Sequence, residues 1–411
     1  MKFDTYAISS TLKKNLSAQG FIRPTDIQYK AIPSILKGED VLAIAQTGTG
    51  KTVAFAVPVI DIILNLKKTK KDSGIQSIVM VPTRELAVQI HEVFMALCHK
   101  TRVKPFAVFG GVEQDAQIKT LINGVDILIA TPGRMFDLIS QKAIDIRQVK
   151  VLILDEADQM LAKGFLDDIQ CIKRMLKQRH QTLFFSATID KNIKKLAYSQ
   201  VSSAAVRIQI SPDDPVSKNV SHYVLFVEMD DKRFFLRKFV RENPESKILV
   251  FVRTTVRAER VAKALERADI SALTIYGKKD QDERLAVLTR FKQGDDKILI
   301  ATDVSARGID IPNVDYVINY DLPDQKEIYV HRVGRTGRGR SRGKAISFCS
   351  SQEKDLLKEI EGFIGKPIET VKVSRDEYAF TVEVTETSKD IREMILANEE
   401  WEKKKSRRKK K

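Results

Sequence analysis

The chain has 411 residues, 43% hydrophobic and 30% charged, which describes a globular protein of two or three domains at roughly 100–200 residues each. No apolar run approaches the ~20 residues of a membrane span, and no signal-peptide pattern opens the chain, so the expectation is a cytoplasmic protein with no membrane partner. A net charge of +16 points to a polyanionic partner such as nucleic acid, while the scattered Cys98, Cys171 and Cys349 indicate neither a disulfide framework nor a zinc site.

Short apolar runs predict strands at Val41–Ala45, Ser77–Val81, Ile127–Ala130, Val151–Leu154 and Thr182–Phe185. A second set lies at Ile248–Val252, Ala272–Tyr276, Ile298–Ala301, Tyr316–Asn319 and Ala345–Phe348. The runs are continuous rather than alternating, as strands covered on both faces require. Stretches of helix length lie between them, for example Arg84–Cys98 and Thr255–Arg267. Strands alternating with helices predict an α/β fold, with one parallel sheet flanked by helices in each half. The segment Ser211-Pro212-Asp213-Asp214-Pro215 can continue neither a strand nor a helix. It sets the expected division: a first domain over 1–207, a linker over 208–218, a second domain over 219–372 and a charged extension over 373–411. Pro58 is expected to kink or shorten its helix, and Lys67–Gly74 reads as a solvated turn. Residues 402–411 carry eight basic groups and one acidic group, hence +7, and offer nothing to bury, so they are expected to be disordered.

The run Ala45-Gln46-Thr47-Gly48-Thr49-Gly50-Lys51-Thr52 stands between a predicted strand and a predicted helix, the context a phosphate-binding loop requires. Its glycines let successive N–H groups turn toward phosphate oxygens, and the helix N-terminus adds its positive dipole end. Lys51 can reach the terminal phosphates of ATP, and the Thr52 hydroxyl can ligate Mg²⁺. Asp155-Glu156-Ala157-Asp158 ends the run Val151–Leu154. Neighbouring strand residues point to opposite sides, so two acids there can serve different tasks. Asp155 would hold Mg²⁺, partly through water, and Glu156 would orient and deprotonate the attacking water. Phosphoryl transfer asks little more of a protein than this positioning and charge compensation.

With these motifs in place the chain resembles the DEAD-box helicases, and further motifs follow that family's order over nearly its whole length. The resemblance implies tandem RecA-like domains. Phe3 and Gly20–Gln28 are similar to the family's adenine-reading segment, so Phe3, Arg23 and Gln28 are implied to bind the base. Pro82–Ala87, Gly110-Gly111 and Thr131–Arg134 look like RNA-contacting motifs, which implicates Arg84, Gly111, Thr131 and Arg134. Val252-Arg253-Thr254, Gly277–Arg284 and Thr302-Asp303 resemble those of the second domain, which implicates Arg253, Gly277, Arg284 and Thr302. Arginine, threonine and bare glycine backbone suit phosphate and ribose contact, with little base reading. Here the chain departs from the family, with Tyr276 where histidine is usual.

Ser186 and Thr188 match the motif that couples ATP turnover to strand separation, together with Asp158 and His331. By the same resemblance Gly308 and Asp310 touch the nucleotide, and Arg335 and Arg338 are arginine fingers on its γ-phosphate. A helix capped by Asp324 would place His331 and Arg335 on one face. The implied enzyme is an RNA-dependent ATPase, a monomer, whose domains stay apart until ATP and RNA bridge them. The short basic tail is similar to the RhlE-type subgroup, with ribosome precursors or RNA decay as implied settings. Two other readings share these motifs: an ATP-dependent RNA clamp or annealer, and a DNA-translocating ATPase.

Overall fold

The computed structural model describes residues 2–45, 48–69, 74–188, 191–210, 219–277, 279, 281–303, 314–337 and 342–383. Two seven-stranded sheets stand among them, with every strand pair parallel. In the first sheet, β1 (Val41–Ile44), β2 (Ser77–Met80), β3 (Pro105–Val108), β4 (Ile127–Ala130), β5 (Val151–Leu154), β6 (Gln181–Ser186) and β7 (Val206–Gln209) lie in the order β3-β4-β2-β5-β6-β1-β7. In the second, β8 (Val220–Phe226), β9 (Ile248–Val252), β10 (Leu273–Ile275), β11 (Ile298–Thr302), β12 (Tyr316–Asn319), β13 (Gly343–Cys349) and β14 (Glu369–Thr370) lie in the order β10-β11-β9-β12-β13-β8-β14.

Each sheet is covered on both faces, and the two-residue period of a strand divides its side chains between two cores. Val41 and Ala43 pack with Val79, Ile153 and Phe185 on one face, while Leu42 and Ile44 pack with Ile78, Leu152 and Phe184 on the other. In the second sheet Val250 and Ile300 belong to one core, Phe251 and Leu299 to the opposite one. This double burial makes the central strands uniformly apolar.

Several expectations need correction. β7 crosses the boundary expected at 207, pairing with β1 through Gln209; residues 211–218 lie outside the described set. The helix Lys51–Thr69 runs through Pro58 without stopping, and it contains Lys67, which ion-pairs with Asp126 at 2.6 Å instead of lying in a turn. The described part of the extension, residues 373–383, packs on the second domain through Val373 and Tyr378. Residues 375–383 are helical, and the Tyr378 ring packs tilted against Phe235 with ring centroids 4.9 Å apart. The Tyr378 hydroxyl donates to Asp231 (2.7 Å) and accepts from the Glu228 amide (3.1 Å). Residues 384–411, including the tail expected to be disordered, lie outside the described set. No described helix is long and apolar enough to cross a membrane.

Candidate nucleotide site and nucleic-acid interface

The phosphate-loop sequence leaves the carboxyl end of β1 and enters the helix that begins at Lys51. Gly48 and Gly50 have φ of 81° and 91°, in the left-handed region that side chains avoid. Lys51 is 7% exposed, and its Nζ is buried without a hydrogen-bond partner among the described residues. An ammonium held this way has a site prepared for an anion. Lys51, Gly48, Gly50 and Thr52 share a cavity of about 580 Å³ with Asp155, Glu156 and, from the other domain, Arg335.

Asp155 and Glu156 follow β5 and are both buried. Burial pushes the Asp155 carboxyl up to about 7, with Glu156 and Asp158 adding to the rise and Lys51 opposing it. A carboxylate crowded as Asp155 is disfavours its own charge, and a divalent cation beside it would relieve that. The donor set therefore fits a magnesium–triphosphate. Glu156 has φ 52° and ψ 48°, a left-handed backbone that costs about 1–3 kcal/mol in a residue with a Cβ. Its carboxylate is gripped by the Gln159 amide, and its backbone N–H donates to Asp155 (3.0 Å). The left-handed backbone and the Gln159 contact hold this carboxylate in one place.

Asp158 reaches toward the other domain. Its Oδ2 accepts from the Thr188 N–H (3.1 Å) and hydroxyl (2.9 Å), and it stands 3.5 Å from His331 Nε2. Burial would raise the Asp158 carboxyl, but His331, Lys51 and Thr188 outweigh it and hold it well below the usual carboxylate range. The Ser186 hydroxyl donates to the Thr188 carbonyl (2.8 Å), completing the chain of contacts. A second cavity of about 250 Å³, lined by Asp158, Thr188, Gln325 and His331, opens at this domain junction.

The helix Lys326–Val333 carries the second domain's contribution. It starts two residues later than the expected cap: Gln325 is the N-cap, and Asp324 instead pairs with Arg253 Nε at 3.2 Å. Arg335 lies just beyond the helix, its Nε donating to the His331 carbonyl (3.2 Å). Arg332 is fully buried, clamped by Asp303, Asn319 and the Asp321 carbonyl. Thr47, Gly308, Asp310 and Arg338 lie outside the described residues.

The expected base-binding group is arranged differently. Gln28 is buried and spends its amide internally: Nε2 donates to the Gly50 carbonyl (3.1 Å), and Oε1 accepts from the Thr25 N–H (3.0 Å). It braces the phosphate loop and caps its own helix. Phe3 is also buried, against Tyr6 at 5.9 Å between ring centroids, so it offers no open stacking face. Arg23 is exposed.

The nucleic-acid face is likewise mixed. Arg84 lies over the Gly110-Gly111 turn, where a Cβ on Gly111 would stand 1.9 Å from its Nη1. Thr131 sits half-buried at the N-cap of Pro132–Ser140, and Gly277 is exposed. Arg134 is turned inward, donating to Gln117 (3.0 Å) and the Val112 carbonyl (3.1 Å), so it pins the adjacent loop. Arg284 is spent on an interdomain ion pair with Glu85 at 2.6 Å. Thr302 is buried at the end of β11. Arg253 remains 40% exposed. The Tyr276 hydroxyl donates to Glu259 (3.0 Å), and Lys279 lies over its ring.

Sequence reasoning gave no role to Glu85, Gln159 or Arg332, although Glu85 stood inside a motif already singled out and Arg332 directly follows His331. It gave none to Lys232, Asp321 or Glu353 either, and isolated charges of this kind carry no local signal.

Residues 25–196 match the family model described as DEAD/DEAH box helicase, and residues 231–340 match the helicase conserved C-terminal domain. Over 394 residues the chain is 35% identical to the ATP-dependent RNA helicase CshA of Listeria monocytogenes, covering 96% of this chain and 75% of that protein. It superimposes on Saccharomyces cerevisiae Dbp5 bound to RNA and ADP BeF3 with a TM-score of 0.82 at 29% identity, covering 94% of this chain and 99% of that one. Against a DEAD box protein from Methanococcus jannaschii the TM-score is 0.55 at 35% identity, covering 90% and 99%. The names of these relatives do not support the finer RhlE-type placement.

Proposed function

Because the chain belongs to the DEAD-box ATP-dependent RNA helicases, we propose that it separates short RNA duplexes by closing its two domains around one ATP. The observation that carries this reading is the single cavity lined by Lys51, Asp155 and Glu156 from one domain and Arg335 from the other. Neither domain holds that set alone. The domains already meet through Arg284–Glu85 and His331–Asp158, and the whole chain matches the RNA- and nucleotide-bound Dbp5 far better than the M. jannaschii protein.

Lys51 and the loop amides bind the β- and γ-phosphates, and Gln28 and Thr25 keep that loop in shape. Magnesium, held by Thr52 and Asp155, would neutralise charge on the same phosphates. Glu156, fixed by Gln159, takes the proton of the attacking water, and Arg335 stabilises the charge that gathers on the departing γ-phosphoryl group. Asp158, Thr188 and His331 tie that chemistry to the domain junction. RNA bound across both domains through Arg84, Arg253 and exposed backbone bends on closure and releases its partner strand. Because ATP and RNA both stabilise the closed form, each must tighten the other's binding by the same factor.

Strand displacement from a short tailed duplex tests the reading. ATP is expected to release the displaced strand from RNA, with far less from DNA of the same sequence. Undiminished ATPase stimulation by RNA without strand release would leave a clamp or annealer.

A further inference from the structure

Beneath Arg253, at the carboxyl ends of β9 and β12, lies a buried ionic network that the catalytic scheme does not use. Lys232 is fully buried, and its Nζ donates to the Tyr320 carbonyl (2.8 Å) and to Glu353 Oε2 (2.5 Å) and stands 4.0 Å from Asp321 Oδ1. Glu353 Oε2 also accepts from the Ser350 N–H (3.0 Å) and hydroxyl (2.9 Å), and Oε1 accepts from the Leu322 N–H (3.1 Å). Asp321 is divided in the same way, Oδ2 taking the Arg253 N–H (3.0 Å) and Oδ1 ion-pairing with Arg257 (3.1 Å).

The only member of this network that reaches well into solvent among Lys232, Asp321, Glu353 and Arg253 is Arg253. Its Nη2 donates to the Leu322 carbonyl (3.2 Å) and lies 3.6 Å from Glu353, while Nε faces Asp324 at 3.2 Å. One edge of the guanidinium is thus held, and its Nη1 makes no hydrogen bond among the described residues.

Buried ion pairs are poor stabilisers, since apolar side chains of the same shape often do as well or better. A fully buried lysine whose carboxylate partners run out to the exposed Arg253, and through Asp321 to the less exposed Arg257, points to a geometric task. Without Lys232, Glu353 and Asp321 would present unbalanced negative charge under Arg253 and draw its guanidinium inward. Without Glu353, the guanidinium would lose the buried carboxylate that lies 3.6 Å from its Nη2.

We propose that Lys232, Glu353 and Asp321 are positioning residues that hold Arg253 with its free edge toward an RNA phosphate. The proposal rests on the reading of Arg253 as an RNA contact, and the experiment separates the two.

The full-length Lys232→Met/Glu353→Gln variant removes both charges together, so no buried ion is stranded. RNA-stimulated ATPase is measured against oligo-uridine for this variant, for Arg253→Ala and for the triple combination. Losing one hydrogen bond to a charged group predicts a KM for RNA raised about tenfold in both the double variant and Arg253→Ala. The turnover rate at saturating RNA is recorded beside KM, so that weakened RNA binding is told apart from lost catalysis. The triple variant is no worse than either, since the groups act as one unit. The slope of RNA affinity against salt falls by about 0.7 in each, one phosphate contact on a single strand. Ser350→Ala, which loosens Glu353 without removing a charge, shifts KM the same way to a smaller extent and decides the matter if the double variant does not fold. An unchanged KM in the double and Ser350 variants, beside a raised KM in Arg253→Ala, overturns the positioning role. An unchanged KM in Arg253→Ala overturns the RNA contact itself.

Discussion

At Gly50 the backbone stands at φ +91°, and a Cβ built there would lie 2.3 Å from Gln28 Nε2. Gly50→Ala therefore strains the loop and dislodges the amide that braces it. The expected result is a KM for ATP raised at least about tenfold with the fold retained, read from steady-state ATPase and thermal melting; an unchanged KM would show that the brace is dispensable. At this scale much of the site was legible. Lys51, Asp155 and Glu156 line one cavity and stand in short contiguous motifs, so composition and spacing single them out. Gln28 and Arg134 were legible as polar side chains at significant positions, but not in direction. Each found a nearer internal partner, Gly50 and Gln117 respectively. The buried pair Lys232–Glu353 was invisible because its members are 121 residues apart and each looks like an ordinary surface charge.

Among the elements, two of the strands missed from the sequence, β7 and β8, share one physical cause, exposure along part of their length, whereas β3 is apolar and largely buried but short. β3 and β7 are the edges of the first sheet, and β8 has only the two-residue β14 beyond it. Strands covered on fewer faces do not need continuous apolar sequence, and β8 accordingly alternates between buried and more exposed positions. The central strands, buried on both faces, were all found. The helix at 375–383 was hidden by its charge, and Tyr378 is the residue that ties it down. Replacing that ring and its hydroxyl, Tyr378→Ala, is expected to cost about 2–3 kcal/mol of second-domain stability. Denaturant unfolding measures it, and a loss below about 0.5 kcal/mol would mean that the extension only rests on the domain.

For the whole molecule the decisive feature is that the groups lining one cavity are divided between two domains, Lys51, Asp155 and Glu156 from the first and Arg335 from the second. Neither Arg284 nor Glu85 lines the cavity that holds Lys51, Asp155, Glu156 and Arg335, so their pair reports closure from outside that cavity. Arg284→Ala and Glu85→Ala are each expected to weaken RNA- and nucleotide-dependent closure, followed by energy transfer between dyes on the two domains. The double variant should lose no more than either single one, corresponding to a coupling of about 1–2 kcal/mol. Strictly additive losses would show that the two residues act separately. Two tandem sheets were legible from the repeated apolar runs, whereas which surfaces meet was not, because contacts such as Asp158–His331 depend on the placement of whole domains.

Arginine 335 gives the most direct test of a shared ATP. In Arg335→Ala, RNA-stimulated turnover at saturating ATP and RNA should fall by about 10³-fold or more, while ATP affinity for the first domain stays close to that of the parent. If Arg335→Ala keeps its RNA-stimulated ATPase, the second domain contributes no catalytic group at this position and the shared site is contradicted.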